Sequence, residues 1–199
     1  MSDRAVILVD GGYYTNVNYY CEDEFGKKID LHAMSEKLCD EFGFDLLRTK
    51  FYHARPYLDE DNPTDEQEKS RRQAQSFFDT IDNLPRCQFE EKGRVKLDHA
   101  DCPKCNNHFR FKSQKGVDVG IAVDLVQMAS DKNAPDAFII ISGDEDLKHA
   151  MRAAKDNHAS VFLAHAYNRR HELYSAQSLR QEADQTFNIA DGFLSDVTQ

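Results

Sequence analysis

Ala5-Val6-Ile7-Leu8-Val9-Asp10-Gly11-Gly12 decides how this 199-residue chain is read. Five apolar residues without a polar interruption have the pattern of a strand buried on both faces, and the two glycines break it into a turn. Asp10 therefore stands where a buried strand ends. A second run, Ala137-Phe138-Ile139-Ile140-Ile141, leads in the same way into Ser142-Gly143-Asp144-Glu145-Asp146. Gly143 allows a tight turn there, and Ser142 or Asp144 can cap the helix that follows. Asp118, in Lys115-Gly116-Val117-Asp118, lies just before the helix-like stretch 119–129.

In an open parallel sheet, ligands bind outside the carboxyl ends of the strands, so Asp10, Asp118 and Asp144 are expected to face one crevice. An Asp after a buried strand is more often a turn former or a cap than a ligand. Repetition at three equivalent places is what carries the expectation. Carboxylates gathered that closely repel one another unless a cation joins them, and their hard oxygens favour Mg²⁺ or Mn²⁺. The chemistry open to such a site is metal-assisted phosphodiester hydrolysis.

Outward from these runs, the chain alternates strands and helices. A helical face formed by Leu31, Met34, Leu38 and Phe42 predicts a helix over 30–42, followed by a strand over 45–54. A polar helix over 65–82 precedes a strand or hairpin over 87–97. After the Asp118 helix come the Ile139 strand, a helix over 145–157 and a last core strand over 160–164. The fold class expected is α/β: a parallel sheet covered by helices on both faces. Residues 1–199 are read as one domain, with a small cysteine-containing insertion, a hairpin or zinc knuckle, over 86–114.

The net charge of −10, from 25 Lys and Arg against 35 Asp and Glu, argues against a nonspecific duplex binder with a broad basic face. The stretch Lys92–Lys115 runs the other way, with seven Lys or Arg against two Asp. No stretch approaches the roughly 18 apolar residues of a membrane span. The N-terminus lacks a basic-then-apolar signal pattern. A cytoplasmic location without membrane contact is the expectation.

Five cysteines without a signal pattern point away from a disulfide framework. Cys102-Pro103-Lys104-Cys105 forms a knuckle, and Cys87, His99 and His108 are the residues that could complete a structural Zn²⁺ site. A single C-x-x-C is weak support for one. Cys21 and Cys39 fall in helical patterns and are read as packing residues. Tyr13, Tyr14, Tyr19 and Tyr20 are candidates to stack on unpaired bases, with packing against the sheet or a homodimer partner as the alternative. Arg48, Lys50, His53 and Arg55 are candidate phosphate contacts.

Val9-Asp10-Gly11-Gly12, Gln114-Lys115-Gly116-Val117-Asp118-Val119 with Val123-Asp124-Leu125, and Ser142-Gly143-Asp144-Glu145-Asp146-Leu147 resemble, in order and separation, the three motifs of the NYN domain, in the LabA-like branch of the PIN-like nuclease superfamily. The resemblance covers about residues 4–191. It implies a PIN-like (Rossmannoid) α/β fold and an Mg²⁺- or Mn²⁺-dependent ribonuclease acting on single-stranded or structured RNA. The matching acidic positions are Asp10, Asp118, Asp144 and Asp146, with Asp124 as a second-tier candidate that would bond to the third motif. Lys115, Ser142, Lys148 and Asn16 are candidate substrate contacts. The family often shows Asn where this chain has Tyr13, which leaves the polar partner of Asp10 open. A noncatalytic RNA-binding scaffold is the alternative reading. A haloacid-dehalogenase-like phosphohydrolase ranks last, because it needs a second Asp where this chain has Gly12.

Overall fold

The computed structural model describes residues 3–189 and 191–199. In chain order the elements are β1 (Arg4–Asp10), α1 (Gly11–Phe25), α2 (Leu31–Phe42), β2 (Asp45–His53), α3 (Asp65–Asn83), β3 (Cys87–Glu91), β4 (Arg94–Asp101), β5 (His108–Lys115), α4 (Val117–Ala129), β6 (Ala137–Ile141), a short 3₁₀ turn (Glu145–Leu147), α5 (Lys148–Asp156), β7 (Ser160–His165), α6 (Gln177–Glu182), β8 (Gln185–Asn188) and α7 (Asp191–Asp196).

Six strands form one sheet in the order β3-β2-β1-β6-β7-β8, and every neighbouring pair is parallel. β1 lies at its centre because its apolar run can be buried on both faces. Ala5, Ile7 and Val9 pack into one core with α1, α2 and α7, while Val6 and Leu8 turn to the other, beneath α4, α5 and α6. The all-apolar β6 behaves likewise. This is the expected α/β architecture, a parallel sheet with helices on both faces.

The chain moves outward from β1 through β2 and β3, then returns to place β6 on the other side of β1. A strand order that reverses in this way opens a crevice between β1 and β6 at the carboxyl ends of the strands.

The segment 87–97 divides between two sheets. β3 joins the main sheet beside β2, with Cys87 opposite Thr49, and only from Arg94 does the chain enter an antiparallel ribbon in which β4 pairs with β5. That ribbon pairs with no strand of the main sheet. Three of the four tyrosines considered as base-stacking residues are structural: Tyr13, Tyr14 and Tyr20 are buried, and only Tyr19 is exposed. Cys21 and Cys39 are buried too, as their helical patterns imply, and burial pushes their thiols up to about 11 and about 12. No helix among the described residues is long and apolar enough to cross a membrane.

Candidate active site at the strand ends

Asp10 is both the last residue of β1 and the N-cap of α1. Its Oδ1 accepts from the backbone N–H of Gly12 at 2.9 Å and of Tyr13 at 3.3 Å, which satisfies two of the free donors at the helix start. Its Oδ2 accepts from Ser142 Oγ at 3.1 Å, across the gap between β1 and β6. Ser142 Oγ in turn accepts from Asp144 N–H at 3.2 Å, and Asp144 Oδ1 accepts from Asp146 N–H at 2.9 Å to cap the 3₁₀ turn. One hydroxyl therefore ties the first motif to the third. Ser142 is fully buried, so its role is to hold Asp10 rather than to meet a substrate.

Asp118 enters from the first turn of α4, after Gly116 in the left-handed conformation. Its carboxyl is pushed above the usual carboxylate range by burial first, then by the fields of Asp10, Asp144 and Asp146. Asp10 is raised as well, by burial and by Asp144, against the lowering effect of its hydrogen bonds to Tyr13, Ser142 and Gly12. The four acids of the three motifs thus act on one another at one edge of the sheet. The α1 and α4 N-termini that meet there offset part of the repulsion.

The oxygen donor set suits a hard divalent cation. As the side chains are placed, however, no three His, Cys, Asp or Glu residues among those described stand close enough to hold a metal ion. Asp10 is held by three hydrogen bonds, whereas among the described residues Asp146 accepts none and Asp118 bonds only to its own N–H. Neither of these two carboxylates is held by a bond from another residue among those described. Gln114, Lys115, Gly116, Asp118, Val119, Ala122 and Asp146 line a cleft of about 340 Å³ at this edge. A larger cavity, about 500 Å³, lies at the opposite end of the strands, lined by Val6, Leu47, Arg48, Gln127 and Met128, away from the acids.

The other expected site residues separate into near and far. Lys115 is exposed in the acid cleft. Lys148 opens α5 two residues after Asp146, and Asn16 is half-buried on α1, roughly one and two-thirds turns beyond the Asp10 cap. Of the strand cations, Lys50 is engaged by Glu90 and Asp124, and Arg55 by Glu91, while Arg48 is exposed at the far end of the sheet.

Asp124 does not bond to the third motif. It is buried against β2 and the chain after β3, where Lys92 Nζ reaches Oδ1 at 3.0 Å, Lys50 Nζ stands 3.6 Å from Oδ2, and Tyr52 Oη donates to Oδ2 at 3.2 Å. The reason is helical geometry: six residues beyond Asp118, Asp124 faces about 120° away from it. Nothing in the local pattern around Lys92 or Tyr52 marks them as partners of this acid. Gly120 is the available signal, because a glycine inside a helix marks a close approach. A Cβ there would lie 2.7 Å from the Lys92 chain, which crosses α4 at that point on its way to Asp124.

The intrachain zinc set does not assemble either. Cys87 is turned into the core by the pairing of β3 with β2, whereas Cys102 and Cys105 sit at the far tip of the ribbon. His99 lies opposite Arg110 along the ribbon, and His108 is paired with Asp101.

Tyr13 resolves the question of the first carboxylate's partner. Its buried hydroxyl donates to Ala166 O at 3.1 Å and accepts from Ala166 N–H at 2.8 Å, bracing α1 against the chain beyond β7. That burial lifts the phenol to about 12. The polar partner of Asp10 is supplied instead by Ser142.

Compared with known families, the chain matches the NYN domain over residues 4–190. It belongs to the NYN family. The NYN fold is that of the PIN-like nucleases, and the parallel six-stranded sheet flanked by helices accords with it. A crystal structure of a protein of unknown function from Vibrio parahaemolyticus shares the fold, with a TM-score of 0.55 and 21% identity over 97% of this chain and 96% of that one. A structure of a Sir2 enzyme aligns with a TM-score of 0.41 and 10% identity, over 94% of this chain and 86% of that one. No curated protein matches this NYN domain.

Proposed function

We propose that this NYN domain, of the LabA-like branch, is an Mg²⁺- or Mn²⁺-dependent ribonuclease that hydrolyses RNA phosphodiester bonds at the β1–β6 edge. Asp10, Asp118, Asp144 and Asp146 are the residues that would hold the ion. The supporting observation is that four carboxylates share one edge, and two of them are pushed up by burial and by their neighbours' charge, with no Lys or Arg paired to any of them among the described residues. Placing unpaired acids together costs stability, so a fold that does so has a use for negative charge at that place.

A divalent cation bound there would supply Lewis-acid polarisation of the phosphate and activation of water. The protein's own share is positional. Ser142 and the α1 N-terminus fix Asp10, the capped 3₁₀ turn orients Asp144 and Asp146, and α4 brings in Asp118. Lys115, in the same cleft, stands where it can neutralise a phosphate oxygen of the substrate.

A noncatalytic RNA-binding scaffold is the second reading, favoured by the separation of the acids as placed. Cleavage of end-labelled single-stranded RNA in Mn²⁺, Mg²⁺ or excess chelator, beside Asp10→Asn and Asp144→Asn, separates the two. The nuclease reading requires ion-dependent cutting that both variants lose. RNA bound but left intact in either metal would put the scaffold in its place.

A further inference from the structure

The β4–β5 ribbon has two faces, because alternate residues of a strand point to opposite sides. Phe109, Phe111, Ser113 and Lys115 share one face of β5, and the register sets Ala100, Asp98, Lys96 and Arg94 opposite them. The two rings are 49% and 42% exposed and lie side by side, with centroids 5.9 Å apart. Large aromatic side chains left half in water on a narrow ribbon have no packing role to explain them. Toward the base of the same face stand Lys96, Arg94 and Lys115, all exposed, and none is in an ion pair among the described residues. Asp98, the acid on this face, accepts from Ser113.

Lys115 also lines the acid cleft, so this face begins at the cleft wall and continues outward. Phe111 lies roughly 14 Å along the strand from Lys115, and Phe109 roughly 20 Å. Residues 94–115 hold six Lys or Arg and two Asp in a chain whose net charge is −10. The ribbon therefore runs net positive within an acidic chain, and it carries two adjacent exposed phenylalanine rings on the face that holds three of its cations.

We infer that the β4–β5 ribbon is a single-stranded RNA arm, on which Phe109 and Phe111 stack on unpaired bases while Arg94, Lys96 and Lys115 hold the phosphates of the strand leading into the acid cleft. The inference rests on the proposed RNA-cleaving function and adds the substrate class. Stacking requires bases free of a duplex, and A-form RNA keeps its bases stacked on one another, out of reach of an aromatic face. A duplex would also bring phosphates over a body with an excess of acids. A second copy of this chain suits the face poorly, since it would set like-charged ribbons against each other.

Fluorescence anisotropy with a labelled 12-nucleotide single-stranded RNA, in chelator so that nothing is cut, tests the arm separately from catalysis. Wild type should bind the single strand more tightly than the matching duplex. Phe109→Ala/Phe111→Ala should weaken single-strand binding about tenfold or more, and Phe109→Tyr/Phe111→Tyr should retain it. Arg94→Gln/Lys96→Gln should flatten the dependence of log affinity on log salt by about 0.7 for each phosphate no longer neutralised. A circular-dichroism melt matching wild type establishes that the exposed double-alanine variant is folded. Equal RNA affinity of wild type and the double-alanine variant overturns the inference, and so does sedimentation showing that the rings mediate a dimer while RNA affinity is unchanged. Ring-dependent binding without any cleavage in Mn²⁺ would sink the nuclease reading and leave the arm standing.

Discussion

Asp118 and Asp124 are carboxylates six residues apart on the same helix, and their surroundings are opposite. Asp124 faces β2 and the turn after β3, where two lysines and a tyrosine hydroxyl answer its charge. Asp118 faces the switch point between β1 and β6, where its neighbours are three more acids. One α-helix thus carries a neutralised acid that locks it to the sheet and an unanswered acid held in place by that lock. On the proposed function, the contrast divides structural charge from functional charge: the buried acid with its cations supplied belongs to the scaffold, and the one among like charges is the candidate to meet a cation.

The largest effect on stability is expected on the Asp124 side. Asp124→Ala leaves Lys92 without its carboxylate and Lys50 with Glu90 alone, in a half-buried setting. Removing one partner of such a cluster should cost about 3 kcal/mol in urea denaturation. A loss below about 1 kcal/mol would mean that the two lysines are as well solvated as surface groups.

Asp118→Asn should do the reverse and raise the melting temperature in chelator. The sign follows from linkage. Burial and like charge hold the folded-state pKa of Asp118 above its ordinary 3.8. Its favourable contribution is therefore complete below that value and lost as pH rises through the raised pKa. The variant's advantage should be absent near the ordinary value and grow toward neutral pH. Melting curves taken across that range in chelator check this, and an advantage that shrinks as pH rises would contradict the repulsion. Ser142→Ala removes the bond that links the two motifs and should cost about 1 kcal/mol, read by the same denaturation.

The smallest effect is expected at the ribbon tip. Cys102→Ser/Cys105→Ser should shift stability by less than about 0.5 kcal/mol, and protein purified without a His tag should carry less than a tenth of a zinc per chain. A full equivalent of zinc in wild type that disappears in the variant would show that the knuckle closes on a metal within one chain.

The features legible in sequence are those written in local pattern. The runs 5–9 and 137–141 place both central strands, and the residues just after them place Asp10 and Asp144 at the carboxyl ends. Ser142 stands out by its position but not by its bond to Asp10, because that bond depends on two strands 132 residues apart becoming neighbours. Asp124's lysines are hidden for the same reason: Lys50 and Lys92 come from separate segments, and only the crossing at Gly120 hints at one of them. The zinc expectation counts cysteines along the chain, whereas pairing of β3 with β2 carries Cys87 into the core and β4–β5 carries the other two away from it. Tyr13, where the family resemblance leads to the expectation of an Asn, proves to be a brace between α1 and Ala166, a contact invisible without the return of β7.

The most direct test compares the two acids of α4 in one assay: Mn²⁺-dependent cleavage of single-stranded RNA by wild type, Asp118→Asn and Asp124→Asn, each well below its melting temperature. Asp118→Asn should be folded and more than about a hundredfold slower, while Asp124→Asn should be destabilised yet retain most of its cleavage. Wild-type cleavage by Asp118→Asn, or loss of cleavage in a folded Asp124→Asn equal to that in Asp118→Asn, would contradict the division between reserved and neutralised charge.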